Sequence, residues 1–133
     1  MAVTSSETVP VASEADIVAV RRCVRESAAK LGFTLVDQTK VVTAASELAR
    51  NTLIHGHGGS MELATLNGPR VGIRLTFEDK GPGIRDIDLA LRDGFTTGSG
   101  LGLGLGGAKR LVNEFDVQSR VGEGTKVTVT RWK

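Results

Sequence analysis

The segment GSGLGLGLGG at positions 98–107 contains six glycines and stands directly before AKRLVNEF, which has the apolar spacing of a helix. Glycine inside a helix or strand costs about 0.5–1 kcal/mol relative to alanine, so this density is unfavourable in regular structure. A backbone without side chains can instead approach an anion closely, and the next helix adds its positive end. The segment is therefore typical of a phosphate-binding loop, with a flexible loop as the alternative.

Two familiar phosphate-binding patterns fit this segment poorly. A G-x-G-x-x-G match exists at Gly102, Gly104 and Gly107, but a dinucleotide-binding loop follows a hydrophobic strand, and here RDGFTTGS comes first. A P-loop needs glycine before its lysine and serine or threonine after it, whereas Lys109 stands in the sequence AKR. The glycines alone leave the type of site open.

The composition is that of a globular protein and argues against several functions. With 133 residues, the chain is expected to form a single domain over 1–133. A net charge of +2, four Phe and one Trp give no basis for a nucleic-acid partner. No apolar run approaches the ~20 residues that span a bilayer, and the N-terminus lacks a secretory signal, so we expect a cytoplasmic protein without a membrane partner. The single cysteine, Cys23, excludes an intramolecular disulfide and is expected to be a small buried side chain.

Apolar periodicity predicts an α+β fold, a two-layer sandwich with helices on one face of a mixed, mainly antiparallel sheet. The first dozen residues should form an edge strand, because Pro10 has no N–H to donate. Two helices should follow, the first after a Ser13 N-cap and the second over about 35–55. MELATLN and VGIRLTFED predict one hairpin, and FDVQSRV and TKVTVTRW predict another. A short helix in IRDIDLALRDG and a third main helix over about 103–113 are expected between them.

The segment FEDKGPGI carries a possible ligand-binding carboxylate. Asp79 follows an apolar strand, and Gly81 and Gly83 complete the pattern D-x-G-x-G. An ordinary tight turn is one interpretation. In the other, the carboxylate accepts a hydrogen bond from a ligand amino group, and the glycines leave room for a flat ring.

The second predicted helix carries a polar stripe. Glu47, Asn51 and His55 are four residues apart and lie along one slowly drifting line on the helix surface. A solvated helix face is one interpretation. The other is a magnesium site or a positioned base, because a carboxylate and an amide oxygen one turn apart suit either role, and asparagine is mildly unfavourable in mid-helix. His55 is expected at the helix end, and with His57 it makes only a weak case for zinc.

Taken together and in this order, the features resemble the ATP-binding fold of gyrase, Hsp90, histidine kinases and MutL, called the Bergerat fold or GHKL family. Glu47 and Asn51 match its N box, E-x-x-x-N. The two glycine boxes and a late G-x-G-T are matched by Asp79, Gly81, Gly83, Gly100, Gly102, Gly104, Gly122, Gly124 and Thr125. The resemblance covers nearly the whole chain from residue 14 onward.

Within this superfamily, ELARNTLIHG resembles the anti-sigma-factor serine/threonine kinases, and GLGLGLGGAKRLVNEFDVQSRVGEGT is most similar to the switch kinases of the bacterial stressosome, the RsbT type. The resemblance implies transfer of phosphate from Mg-ATP to serine or threonine of a STAS-domain scaffold or antagonist protein, in a partner-switching pathway. It also implies binding to an output regulator such as a PP2C-type phosphatase. Relatives that hold sigma factors are dimers, so a homodimer stays open.

The resemblance also implies roles for single residues. Glu47 is expected to orient or deprotonate the incoming hydroxyl, and Asn51 to coordinate Mg²⁺. Asp79 is expected to accept a hydrogen bond from the adenine amino group, with Thr125 near the base through water. Either Arg50 or Lys109 is expected to help neutralise phosphate charge. The remaining nucleotide-binding candidates are glycines of the pocket floor and of a lid over about 95–104, namely Gly81, Gly83, Gly100, Gly102 and Gly104.

Two other functions are weighed against the kinase. One is a non-catalytic, nucleotide-gated binding module, such as an anti-sigma factor or a phosphatase activator. Intact Glu47 and Asn51 favour the kinase, because a purely binding relative has no need of the base. The other is an ATPase domain detached from a sensor histidine kinase, which is disfavoured because no phosphoacceptor-histidine helix pair is seen upstream.

Overall fold

The computed structural model describes residues 2–91 and 104–133 and contains a five-stranded sheet with helices packed on one face. The four strand pairings are all antiparallel, in the order β1-β2-β3-β5-β4, which refines the expected mainly antiparallel sheet. The predicted α+β architecture is confirmed. The strands are β1 (Ala2–Val11), β2 (Gly59–Asn67), β3 (Gly72–Asp79), β4 (Glu114–Arg120) and β5 (Gly124–Trp132).

The described helices are α1 (Glu14–Lys30), α2 (Leu35–Ile54), α3 (Ile87–Ala90) and α4 (Gly104–Lys109). Side-chain oxygens of Ser13 and Thr34 cap α1 and α2 by accepting backbone N–H bonds of 3.3 and 3.1 Å. Both helices lie where the sequence predicts them. The third main helix was predicted to continue to residue 113, but α4 ends at Lys109 because the chain then joins the sheet, with the Asn113 N–H donating to Thr130 at 2.9 Å.

The hydrophobic core lies between the sheet and the two long helices. Inward-facing Leu75 and Phe77 of β3 and Leu48 of α2 are almost fully buried. Fully burying side chains of this size contributes about 1.5–3 kcal/mol each, so the end of β3 and the middle of α2 are firmly held against each other. β1 is the edge strand and contains Pro10, as predicted. Within residues 2–91 and 104–133, no helix is long and apolar enough to cross a membrane.

Candidate functional site

A cavity of about 440 Å³ opens between α2, the end of β3 and α3. It brings together residues that are far apart in sequence and that the sequence analysis singled out. The predicted site residues in its lining are Glu47, Asn51, Asp79, Gly83, Gly104 and Thr125. Gly81 adjoins the cavity through its hydrogen bond to Asp79. Gly100, Gly102 and all but the end of the predicted lid lie outside the described residues.

The carboxylate of Asp79 both holds the turn and faces the cavity. Its Oδ1 accepts the backbone N–H of Gly81 at 2.9 Å and that of Thr125 at 3.2 Å. In the part of the chain that the structure describes, Oδ2 has no hydrogen-bond partner. Turn formation and ligand binding are therefore compatible, because one oxygen orders the loop and the other stays available as an acceptor.

The two glycines after Asp79 allow two backbone segments to meet closely. Gly83 has φ +79°, and a Cβ added to it would overlap the carbonyl oxygen of Arg120. A Cβ at Gly81 would stand 2.7 Å from Gly56 Cα, just beyond α2. The loop therefore packs against the β4–β5 turn and against the end of α2. This close backbone approach is a reason for glycine that the sequence did not indicate.

Glu47 and Asn51 project from the middle of α2 into the cavity. The interpretation as a solvated helix face is wrong for Glu47, which is only 7% exposed. Its carboxylate has no hydrogen-bond or ion-pair partner among the described residues. The residue is buried in the protein but lines the cavity, so its unpartnered carboxylate is placed to meet a ligand, a water or an incoming hydroxyl group.

The donor set fits a magnesium ion that shares its coordination with phosphate. Asn51 Nδ2 is buried and has no partner among the described residues, so the Asn51 amide is not engaged by the protein on that side. Residues 2–91 and 104–133 contain no group of three or more His, Cys, Asp or Glu that could cage a metal ion. Mg²⁺ commonly binds one or two side-chain oxygens together with phosphate oxygens and water, and the Asn51 amide oxygen is one such ligand.

Of the two candidate cations, Arg50 lies at the cavity, whereas Lys109 is exposed and is absent from the described lining. Arg50 Nη1 is 3.9 Å from Glu14 Oε1, and its Nε is buried without a partner among the described residues. Arg50 is partly exposed and Glu14 is largely exposed, so their ion pair contributes little to stability and the guanidinium can respond to a nearby anion. His55 is the C-cap of α2, as expected, and also lines the cavity.

Sequence reasoning missed Ser119, which stands behind Thr125. Ser119 Oγ lies 2.9 Å from Thr125 Oγ1 and accepts the Ile84 N–H at 2.7 Å. It therefore ties the loop after Asp79 to the β4–β5 hairpin. The alternation of side chains along β4 could have identified it. Phe115 and Val117 are partly buried, and Ser119, two residues further, is a polar residue on the same inward-facing side of the strand.

Comparison with known proteins agrees with this geometry. The family described as histidine kinase-, DNA gyrase B-, and HSP90-like ATPases matches residues 36–133. The serine/threonine-protein kinase RsbT of Bacillus subtilis (strain 168) is 43% identical over 125 residues, which cover 93% of this chain and 94% of that protein. An anti-sigma F factor of Thermoanaerobacter sp. (strain X514) is 32% identical over 117 residues, which cover 84% and 82%.

A solved structure shares the fold. The histidine kinase domain of the Erythrobacter litoralis EL346 blue-light activated histidine kinase superposes with a TM-score of 0.54 and 19% sequence identity. The match covers 92% of this chain and 60% of that one. At this identity, the likeness concerns the fold alone.

Proposed function

Because this chain belongs to the histidine kinase-, DNA gyrase B-, and HSP90-like ATPase family, in its RsbT-type kinase and anti-sigma-factor branch, we propose a Mg-ATP-dependent serine/threonine kinase that acts on a STAS-domain protein. The observation that carries the catalytic part of the proposal is the unpartnered carboxylate of Glu47, a largely buried residue of α2, in the cavity that Asp79 also lines. A general base must be close to its proton and free to accept it. Glu47 meets the second requirement.

The adenine end of the site is assigned to Asp79. Its Oδ1 is engaged by two backbone N–H groups, so Oδ2 is the oxygen that would accept a hydrogen from the adenine amino group. Thr125 lies beside it across the β3–β5 ladder, and Gly83 forms part of the adjoining wall. Ile84 and Leu89 supply apolar surface for the base.

The phosphate end is assigned to α2 and to the segment that enters α4. Asn51 is the residue that would hold Mg²⁺, with Arg50 as an additional positive charge. When bound, Mg²⁺ neutralises charge on the phosphate oxygens during phosphoryl transfer. Gly104 lines the cavity, while Gly100 and Gly102 remain predicted phosphate contacts.

Phosphoryl transfer depends mainly on positioning and charge neutralisation, so the protein has few chemical tasks. The hydroxyl oxygen of the substrate serine or threonine forms the new bond to the γ-phosphorus, and the bond to the leaving ADP oxygen breaks. Glu47 orients that hydroxyl and takes its proton.

Protein partners form the second part of the proposal. The names of the relatives, a serine/threonine kinase and anti-sigma F factors, indicate partner-switching proteins. We propose a STAS-domain substrate and an output regulator such as a PP2C-type phosphatase, in the cytoplasm where ATP is available. A homodimer is compatible with this role, and neither nucleic acid nor membrane enters the proposal.

A second candidate is the nucleotide-gated binding module without phosphoryl transfer. The similarity to anti-sigma F factors favours it, because their name denotes action against a sigma factor. Its weakness is Glu47, since nucleotide binding alone does not require an unpartnered carboxylate at this position of the cavity.

The test incubates the purified chain with Mg-ATP labelled at the γ-phosphate and a STAS-domain protein encoded nearby. Acid-stable label on serine or threonine of that protein, lost on chelation of Mg²⁺ and in Asn51→Ala, is the expected result. ATP binding without label transfer would favour the binding module. Acid-labile label on His55 or His57 would instead support a histidine kinase fragment and contradict the proposal.

A further inference from the structure

The hydroxyl group of Ser119 has three polar neighbours. It accepts the N–H of Ile84 at 2.7 Å, donates to the carbonyl oxygen of Gly124 at 3.1 Å, and lies 2.9 Å from Thr125 Oγ1. Ile84 and Thr125 both line the cavity, whereas Ser119 itself stands behind them.

The other two hydrogen bonds of Ser119 determine which residue donates in the Ser119–Thr125 contact. A serine hydroxyl has one hydrogen to donate and two lone pairs that accept. The Gly124 carbonyl can only accept, so it takes the Ser119 hydrogen, and the Ile84 N–H occupies one lone pair. The remaining lone pair faces Thr125 Oγ1, so Thr125 must be the donor if all three contacts are satisfied.

This direction fixes what Thr125 can offer to a ligand. Its hydroxyl hydrogen is directed to Ser119, and its backbone N–H donates to Asp79 Oδ1. The hydroxyl oxygen is left with lone pairs only, and the adjacent carboxylate of Asp79 is an acceptor as well. The N–H groups of Gly81 and Ile84 are also occupied, by Asp79 and Ser119. The Asp79 and Thr125 side chains at this end of the cavity therefore present acceptors.

We propose that Ser119 is a positioning residue that sets the base selectivity of the site. By taking the hydroxyl hydrogen of Thr125, it places a second acceptor beside Asp79. Two acceptors match the two hydrogens of an exocyclic amino group, as in adenine. They repel a carbonyl oxygen at the same ring position, as in hypoxanthine or guanine. The inference rests on the proposed nucleotide-binding function.

A purely structural role for Ser119 makes a different prediction. Ser119 joins the loop after Asp79 to the β4–β5 hairpin, so its loss would weaken both loops and lower affinity for every nucleotide alike. A role in selectivity changes the ratio of affinities between an amino-bearing and a carbonyl-bearing base. That ratio is the informative measurement.

The experiment measures dissociation constants of the full chain for ATP and for inosine triphosphate, which carries a carbonyl oxygen in place of the amino group. The wild type should prefer ATP. Ser119→Ala should lower the ATP-to-inosine preference about tenfold, because the Thr125 hydroxyl can then turn and donate to the carbonyl oxygen. Ser119→Thr keeps a hydroxyl group and should restore the preference. In Ser119→Cys, the thiol is only a weak acceptor, so the preference for ATP should lie between those of Ser119→Ala and Ser119→Thr.

A double-mutant cycle identifies the route of the effect. In a Thr125→Val background, there is no hydroxyl to direct, so Ser119→Ala should leave the preference unchanged. The inference would be overturned if Ser119→Ala weakened binding of both nucleotides equally. It would also be overturned if Ser119→Ala shifted the preference by the same amount in the wild-type and Thr125→Val backgrounds. Failure of the wild type to bind ATP at all would instead contradict the proposed function.

Discussion

Asp79 at the end of β3 and Thr125 near the start of β5 are register partners, and the Thr125 N–H donates to Asp79 Oδ1 at 3.2 Å. The same oxygen accepts from Gly81 at 2.9 Å. The loop is thus ordered by one carboxylate oxygen, and the other has no hydrogen-bond partner among the described residues, although Asp79 lines the cavity. This division explains how one side chain can serve both the turn and the ligand.

Replacing Asp79 by asparagine separates these two tasks. The amide oxygen can still accept from Gly81 and Thr125, but the second position becomes an N–H₂ donor that faces the adenine amino group. Asp79→Asn should therefore weaken ATP binding at least about tenfold while changing the free energy of unfolding little. Titration calorimetry with ATP measures the first quantity, and urea unfolding measures the second. The exposed neighbour variant Glu78→Gln is the control, and equal losses of ATP affinity in both variants would contradict the assignment.

Close backbone packing at Gly83 predicts a large loss of stability on substitution. Gly83 and Gly122 have nearly the same positive φ, +79° and +83°, so alanine is strained at both. Only at Gly83 would the Cβ also overlap backbone, at the Arg120 carbonyl, while the Cβ at Gly122 would meet nothing within 4 Å. Gly83→Ala should lower the free energy of unfolding by about 3 kcal/mol and Gly122→Ala by about 1 kcal/mol. Similar losses of unfolding free energy in the two variants, measured by urea unfolding, would contradict this, because they would show that the backbone moves to remove the overlap at Gly83.

The ion pair between β5 and α2 predicts a specific acid sensitivity. Arg131 donates to Asp37 Oδ1 at 2.7 Å, and this hydrogen bond holds the pKa of the Asp37 carboxyl below its usual value. Because the folded-state pKa is lowered, the pair stabilises the fold fully above the ordinary aspartate pKa of about 3.9, and this contribution is lost as pH falls through the lower folded value.

Asp37→Asn should therefore unfold at a lower urea concentration than the wild type near neutral pH. This gap between the unfolding midpoints of the variant and the wild type should close as the solution is acidified through the lowered pKa of Asp37. The exposed carboxylate variant Asp88→Asn provides the control and should show no such gap at neutral pH. A gap for Asp37→Asn that persists unchanged in acid would mean that the Arg131 pair does not cause it.

The thiol of Cys23 is predicted to be unreactive in the folded chain. Cys23 is half-buried, and burial, followed by the hydrogen bond to Glu7 and the charges of Glu7 and Glu26, raises its pKa to about 12. Because the thiolate is the nucleophile, alkylation by iodoacetamide near neutral pH should be about 1,000-fold slower than in the urea-unfolded chain. Glu7→Gln should accelerate alkylation of the folded form. Rapid alkylation of the native wild type would contradict the raised pKa.

Local rules predicted most elements of the fold. Ser13 as N-cap, Pro10 on an edge strand and the two alternating hairpins are each decided by neighbouring residues, and the structure confirms them. The end of α4 was not predictable in this way. The segment after Lys109 has helical periodicity, yet its backbone pairs with Thr130, a residue of another strand. Tertiary pairing outweighs local propensity there.

In the candidate site, too, residues in short sequence patterns were predictable, and those whose role depends on tertiary contacts were not. The sequence predicted Glu47, Asn51 and Asp79 as site residues because each stands in a short pattern, and the cavity contains all three. It could not identify the partner of Thr125, since the contact with Ser119 depends on the register of β4 against β5. It also could not choose between Arg50 and Lys109, because that choice depends on where α2 and α4 lie relative to the cavity. The family resemblance itself is confirmed by the match over residues 36–133.

We propose that Glu47 acts on the hydroxyl group of the substrate and not in holding ATP. The most direct measurement compares ATP affinity with the single-turnover rate of phosphoryl transfer to the STAS-domain protein in Glu47→Gln. Glu62→Gln, an exposed carboxylate on β2, is the matched control. We expect a transfer rate lowered by about 10²–10⁴-fold in Glu47→Gln, with an ATP dissociation constant within a few-fold of the wild type. Loss of ATP binding with an unchanged transfer rate per bound ATP would contradict it.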